Sequence, residues 1–128
     1  MEEIKYSFEK LEVWKISREL VFATYKLLES FPKTEQHKGL CDQIRRAAVS
    51  VPSNIAEGCG RISVKEKMHF IEIAYGSLME TYCQLILAKD LNFISDEQLT
   101  TVKPSIHQTS KLLSGLRASY LRQLNSKP

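Results

Sequence analysis

Polar and charged side chains are concentrated in residues 43–61, QIRRAAVSVPSNIAEGCGR, among small apolar residues. A carboxylate in such a setting could take part in acid–base chemistry. A carboxylate that is half-buried between helices, however, is usually neutralised by arginine in a bidentate pair that sets the register of the helices. We therefore predict a structural polar network formed by Asn54, Glu57 and, from a later helix, Glu80.

Three arginines in the same segment, Arg45, Arg46 and Arg61, have two possible roles. They could neutralise the internal carboxylates, or one or more of them could face outward and bind a phosphate. The sequence leaves both roles open.

Metal and nucleophilic chemistry find little support in the remaining residues. Glu66 and His69 have the Glu-x-x-His spacing of di-iron bundles, but neither His37 nor His107 has a glutamate three residues earlier to complete such a site. No histidine has an arginine four to six residues before it, which argues against a helical ribonuclease of that pattern. We predict no enzyme activity, no metal site and no cofactor.

The cysteines favour a reducing compartment. Cys41, Cys59 and Cys83 are odd in number and form no CxxC pair, and the N-terminus has no apolar signal region. We expect buried, reduced thiols in a cytoplasmic protein. The longest charge-poor run, residues 70–88, is too polar for a membrane span.

Apolar residues recur at spacings of three and four over four stretches, which predicts four helices. The chain lacks any alternating strand pattern, so we predict an all-α protein, an up-down-up-down antiparallel four-helix bundle. We expect a single domain over residues 1–128, with frayed ends at about 1–8 and 124–128.

Caps and breakers set the expected limits of these helices. The Phe31-Pro32 pair should end helix one, and Thr34 is the expected N-cap of helix two. Pro52 should bend helix two or, alternatively, break it, and Pro104 should bend helix four. Capping boxes are expected at residues 63–66 and 95–98.

The core positions follow from the same spacing. In helix one, Leu11, Trp14, Val21, Tyr25 and Leu28 form the expected core stripe, and a second apolar set widens it: Val13, Ile16, Leu20, Leu27 and Phe31. Helix two should bury Leu40, Ile44, Ala47, Val51 and Ile55, and helix three should bury Ile71, Ala74, Leu78, Thr81, Leu85 and Ala88.

Helix three is apolar on nearly all sides. Glu72 and Glu80 are its only charged residues between positions 70 and 88. Because three partner helices in a small bundle cover one broad stripe, the rest of this surface predicts a contact between subunits.

The C-terminal quarter is basic. After Glu97 the chain has five bases and no acid, within a net charge of +3. Such a helix face either attracts polyanions or serves as a solvated surface. The candidate phosphate-binding residues on it are Lys111, Arg117 and Arg122, followed by Arg45, Arg46 and Arg61 of the earlier segment.

Several segments, in order, resemble the four-helix-bundle proteins of the 23S ribosomal RNA intervening-sequence family. They are FEKLEVWK at 8–15, FP at 31–32, QIRRA at 43–47, SVP at 50–52, NIAEG at 54–58, GR at 60–61 and AYGSLME at 74–80. The resemblance implies an antiparallel four-helix bundle, commonly a homopentamer, without established enzymatic activity. The chain is also similar to the accessory variability determinant of diversity-generating retroelements, a basic pentameric bundle that binds nucleic acid.

These observations favour a non-enzymatic, homo-oligomeric bundle that binds RNA or DNA through its phosphates, with little reading of sequence. The alternative is a protein–protein adaptor, in which the apolar faces of helices one and three bind a different protein. Salt-dependent binding to nucleic acid distinguishes the two hypotheses.

Overall fold

The structure, a computed structural model, describes residues 3–126. Short 3-10 helices at Ser7–Lys10 and Lys33–Glu35 precede the first and second α-helices, and no strand occurs in the described part of the chain. The four α-helices are α1 Glu12–Leu28, α2 Gly39–Cys59, α3 Val64–Asp90 and α4 Asp96–Asn125.

Each helix packs against the helix before it, and α4 also packs against α1. Within residues 3–126, the diagonal pairs α1/α3 and α2/α4 make no close backbone approach. Because short connections join neighbours in space, successive helices run antiparallel. The structure confirms the predicted all-α, up-down-up-down four-helix bundle.

The core contains most of the positions that the spacing predicts in α2 and α3. Ile44, Val51, Ile55, Leu78 and Leu85 are completely inaccessible to solvent. The predicted α3 seam, from Ile71 to Ala88, is buried at every position. The packing of α2 against α3 is therefore the centre of the fold.

In α1 the structure corrects the choice of core stripe. Leu28 of the expected stripe is buried, together with Val13, Leu20 and Leu27 of the second apolar set. Tyr25 of the expected stripe is instead 43% exposed. The core face also contains two buried polar residues, Ser17 and Thr24, which a search for apolar spacing does not identify. The Thr24 hydroxyl donates to the Leu20 carbonyl at 2.7 Å, so its burial leaves no unsatisfied polar group.

Two of the three predicted N-caps are present. Ser95 and Gln98 form the full capping box of α4, and the Ser63 hydroxyl accepts the backbone N–H of Glu66 at 3.1 Å in α3. The prediction for Thr34 is wrong, because this residue lies within the 3-10 helix that precedes α2. The α2 helix begins later, at Gly39, whose φ of +55° is a conformation that favours glycine.

The prolines do not interrupt the helices that contain them. Both α2 and α4 continue through Pro52 and Pro104, so a break at Pro52 is excluded. The predicted bends at the two prolines stay predictions.

The α2 and α3 helices are close together at Gly58. A Cβ atom on this glycine would lie 3.1 Å from Phe70 Cβ and 3.3 Å from the Lys67 carbonyl oxygen. A side chain at this position would require Phe70 or the backbone at Lys67 to shift.

Part of each terminal segment that was expected to fray belongs to a helix. Phe8 in the first 3-10 helix packs edge-on against Trp14, with ring centroids 5.0 Å apart, and α4 extends to Asn125. The remaining part of that prediction concerns residues 1, 2, 127 and 128, which lie outside the described residues. No helix in residues 3–126 has the length and apolarity that a bilayer crossing requires.

Candidate nucleic-acid interface

Arg45 of α2 is engaged within the protein. Its Nη1 lies 3.0 Å from Asp42 Oδ1, and its Nη2 donates to the Gln36 carbonyl at 2.6 Å. The guanidinium also lies over the Tyr25 ring, 5.8 Å from its centroid. Because Gln36 belongs to the α1–α2 connection, Arg45 ties that connection to α2.

Arg61 is engaged at the other end of α2. Its Nη2 lies 3.1 Å from Glu57 Oε2, its Nη1 lies 3.8 Å from Glu66 Oε2, and the guanidinium covers the Phe70 ring at 4.7 Å. It therefore connects the end of α2 to the first turns of α3.

Asn54 and Glu57 do not share one network. Asn54 donates to the carbonyl and the hydroxyl of Ser50, both at 2.8 Å, and the Ser50 hydroxyl lies 2.8 Å from that of Ser77 on α3. Glu57 is instead an exposed partner of Arg61, with 54% of its side chain accessible. Glu80 is exposed on α3 and has no ion pair or hydrogen bond from its carboxylate within residues 3–126.

Two cations of α4 differ from Arg45 and Arg61. Lys111 and Arg122 are exposed, and the described residues provide no carboxylate partner for either. They are eleven residues apart, about three turns, so both lie on the outward side of α4 roughly 16 Å apart along its axis. Arg46 of α2 is likewise exposed and without an ion-pair partner in this part of the chain.

Arg117 is an exception among the α4 cations. Its Nε donates to Glu72 Oε2 on α3 at 2.7 Å, and the two side chains are each 44% exposed. The arginine is thus both paired and accessible.

A groove of about 400 Å³ between α1 and α2, here called the α1/α2 groove, was missed by sequence reasoning. Phe22 on its edge is 68% exposed and Val49 is 40% exposed, and Trp14 and Pro52 also line it. Phe22 lies next to Val21 and outside both predicted stripes, so only its size and exposed position on the helix could have identified it.

A second weakly charged surface is the outward side of α3, here called the α3 outer face. It contains one carboxylate among apolar and small residues, namely Ile73, Gly76, Glu80, Cys83 and Leu87, all of which are exposed.

The three thiols are in different environments. Cys41 is buried, Cys59 is partly buried, and Cys83 is exposed, which contradicts the prediction of burial for the last. Burial raises the pKa of the Cys41 and Cys59 thiols, so both stay protonated and weakly nucleophilic near neutral pH. No group of three or more His, Cys, Asp or Glu side chains is arranged to hold a metal ion anywhere in residues 3–126.

Comparisons with known proteins agree with this architecture. A crystal structure from Bacteroides thetaiotaomicron, of a protein with unknown function from the S23 ribosomal protein family, superposes with a TM-score of 0.75 at 23% identity. The similarity covers 82% of this chain and 97% of that one. No match was found among the curated proteins. The family model described as 23S rRNA-intervening sequence protein matches residues 9–115, and because this is most of the chain, the protein belongs to that family.

Proposed function

We propose that this protein is a non-enzymatic, homo-oligomeric scaffold of the cytoplasm that binds RNA or DNA through backbone phosphates. The observation that carries the proposal is the outward side of α4, where Lys111 and Arg122 are exposed without a carboxylate partner in the described residues. A cation that is not neutralised internally can exchange its counterions for phosphates. The similarity to the accessory variability determinant of diversity-generating retroelements supports the same role.

Assembly would strengthen this weak electrostatic attraction. One chain carries a net charge of +3, so a pentamer would carry about +15 and present the α4 cations five times. Repeated phosphate contacts on one nucleic-acid molecule would then add through avidity.

The apolar surfaces support head-to-tail assembly. The α1/α2 groove and the α3 outer face lie on different helices and have different shapes, so contact between them joins one copy to the next and can close a ring. A Cβ atom on Gly76, at the centre of the α3 outer face, would meet no other atom within 4 Å, and the same is true of Gly115 on α4. These two glycines form a matched pair for testing the assembly.

The assembly test compares Gly76→Gln with Gly115→Gln by size-exclusion chromatography with light scattering. We expect the first change to reduce the oligomer mass, since it places a polar side chain in the subunit contact, and the second to leave the mass unchanged. An unchanged mass for Gly76→Gln would remove the α3 outer face from the contact, and a monomeric wild type would overturn the assembly itself.

The binding test measures the affinity for mixed-sequence RNA and DNA between about 50 and 200 mM salt. In Lys111→Gln/Arg122→Gln, we expect weaker binding and a salt slope reduced by about one for each lost phosphate contact. The control is Lys15→Gln/Lys33→Gln, which removes the same charge from exposed positions on α1 and in the following turn. Equal behaviour of the two double variants would contradict a binding role for α4.

The adaptor hypothesis is the second candidate, favoured by the exposure of Phe22 in the α1/α2 groove. A large aromatic side chain at a groove edge is a common anchor in protein–protein contacts. If the wild-type protein does not bind RNA or DNA even at low salt, the polyanion proposal fails and the adaptor hypothesis replaces it, with a different protein in the α1/α2 groove in place of a second copy.

A further inference from the structure

A second groove, of about 550 Å³, lies between α3 and α4 and differs in chemistry from the α1/α2 groove. Tyr75, Met79 and Tyr82 line it from α3, and Lys103 and His107 line it from α4. None of its lining residues is acidic. It will be called the tyrosine groove.

The two tyrosines are placed to hold separate flat ligands. They are seven residues apart, about two helical turns, so their Cα atoms are separated by roughly 10 Å along α3. Tyr75 is 38% exposed and Tyr82 is half-buried, and Met79, 37% exposed, lies between them. Aromatic faces in a groove stack with nucleic-acid bases of any identity, because every base has a π face.

The charges along α4 extend from the tyrosine groove towards the outward side of that helix. Lys103, His107 and Lys111 follow one another at intervals of four residues, so they form one row on the helix surface. The nearby carboxylate of Glu72 is already paired with Arg117 at 2.7 Å. A phosphate backbone along this row would therefore contact cations. Because Arg117 neutralises Glu72, that carboxylate would not repel the phosphates.

We infer that the tyrosine groove binds single-stranded nucleic acid, with unpaired bases stacked on Tyr75 and Tyr82 and phosphates along Lys103 and Lys111. This inference rests on the proposed function and narrows its ligand to strands with unpaired bases. The bases of a duplex are stacked on one another and cannot enter the groove, whereas those of loops and single strands can. Duplexes would still bind to Lys111 and Arg122 through phosphates alone.

A second copy of this chain is the competing occupant of the tyrosine groove. The α1/α2 groove fits that occupant better, because its apolar side chains are more exposed: Phe22 is 68% accessible, compared with 38% for Tyr75 in the tyrosine groove. The tyrosine groove combines a lysine, a histidine and two phenols, a composition that suits phosphates and bases.

The test compares binding of a short oligo(U) strand with binding of an RNA duplex of the same length, using Tyr75→Leu and Tyr82→Leu. We expect oligo(U) affinity to fall about 10-fold for each lost stacking contact, and duplex affinity to change less than about twofold because phosphate contacts remain. Tyr75→Phe and Tyr82→Phe keep the aromatic faces and should retain oligo(U) binding. Tyr6→Leu, at a 70% exposed tyrosine outside the groove, is the matched control.

Each contrary result has a defined meaning. If the leucine variants bind oligo(U) like the wild type, or lose oligo(U) and duplex binding equally, the stacking inference is wrong while the proposed function stands. If they change the oligomer mass, the groove is a contact between copies and the inference is also wrong. If the wild type binds neither probe, the proposed function itself fails. Should a leucine variant not fold, Lys103→Gln at an exposed position must weaken oligo(U) binding, and normal binding overturns the inference.

Discussion

The basic residues of α2 and α4 have similar chemistry but different surroundings. Arg45 on α2 and Arg61, two residues after its end, bind carboxylates, a backbone carbonyl and aromatic rings of their own chain. On α4, Lys111 and Arg122 project outward, and the described residues offer them no ion pair. The difference shows that the role of a cation depends on the acceptors one turn away and across the nearest helix, and little on the net charge of its segment.

The space around the two helices also differs, because a glycine on α2 is closely packed and a glycine on α4 is not. A Cβ atom at Gly58 on α2 would meet Phe70 and Lys67 on α3, whereas one at Gly115 on α4 would meet nothing within 4 Å. Thus α2 packs tightly on α3 at Gly58, whereas the outward side of α4 is available to another molecule at Gly115.

The largest expected effect comes from filling the close approach of α2 and α3. Gly58→Leu should lower the free energy of unfolding by about 2 kcal/mol relative to Gly115→Leu, because overpacking a tight helix contact costs about 1–3 kcal/mol. Part of the difference comes from helix propensity, because Gly58 is the second-last residue of α2 whereas Gly115 lies inside α4. Urea unfolding followed by circular dichroism measures the difference. Equal stability of the two variants would show that α3 moves away easily.

Arg45 and Arg46 are neighbours on α2, but Arg45 binds a backbone carbonyl of its own chain and Arg46 is exposed. Arg45→Met should destabilise the protein by about 1–2 kcal/mol, since hydrogen bonds that involve a charged group contribute about that much and the Gln36 carbonyl loses its donor. Arg46→Met, one residue further along and exposed, should leave the unfolding midpoint unchanged. The same urea titration tests both, and a midpoint that moves equally in the two variants would contradict the assignment of Arg45 as a structural residue.

The difference between paired and unpaired cations could be predicted in part from the sequence. Glu57 in the last turn of α2 lies four residues before Arg61, which follows the end of that helix, and this short spacing keeps their side chains within reach of each other. Lys111 and Arg122 have no acid three or four residues away, so the same rule predicts no ion pair within α4 for either residue. The four helices and most of the core were predictable because their apolar spacing is regular over many turns.

The remaining features required three-dimensional information. Arg45 binds the carbonyl of Gln36, a backbone group in a connection whose shape no spacing rule describes. Arg117 and Glu72 are 45 residues apart, and their contact depends on the register between α3 and α4. The buried Thr24 could not be recognised by apolarity, because its hydroxyl is satisfied by its own helix.

A smaller effect is expected at Gly115, on the outward side of α4, where an added side chain has free space. Gly115→Ala should raise the free energy of unfolding by about 0.5–1 kcal/mol, the difference in helix propensity between the two residues. Gly58→Ala should gain less or lose stability, because its Cβ would lie 3.1 Å from Phe70 Cβ. Thermal unfolding of the two variants gives the ranking, and a larger gain at Gly58 would reverse the proposed contrast between the helices.

The smallest effect concerns Arg117, which belongs to both groups, since it lies on α4 and is paired with Glu72. The two side chains are 44% exposed, so a double-mutant cycle with Arg117→Met and Glu72→Gln should give a coupling energy of about 0.2–1 kcal/mol that decreases in high salt.

If Arg117 also contributes to phosphate binding, its carboxylate partner competes with the phosphate. Glu72→Gln should then strengthen RNA binding about twofold to threefold at low salt, as measured by fluorescence anisotropy. The same substitution in an Arg117→Met background should have a smaller effect, because the released cation is absent. Weaker RNA binding by Glu72→Gln would instead mean that the ion pair holds the α3/α4 surface in its binding shape, and would move Arg117 to the structural group with Arg45 and Arg61.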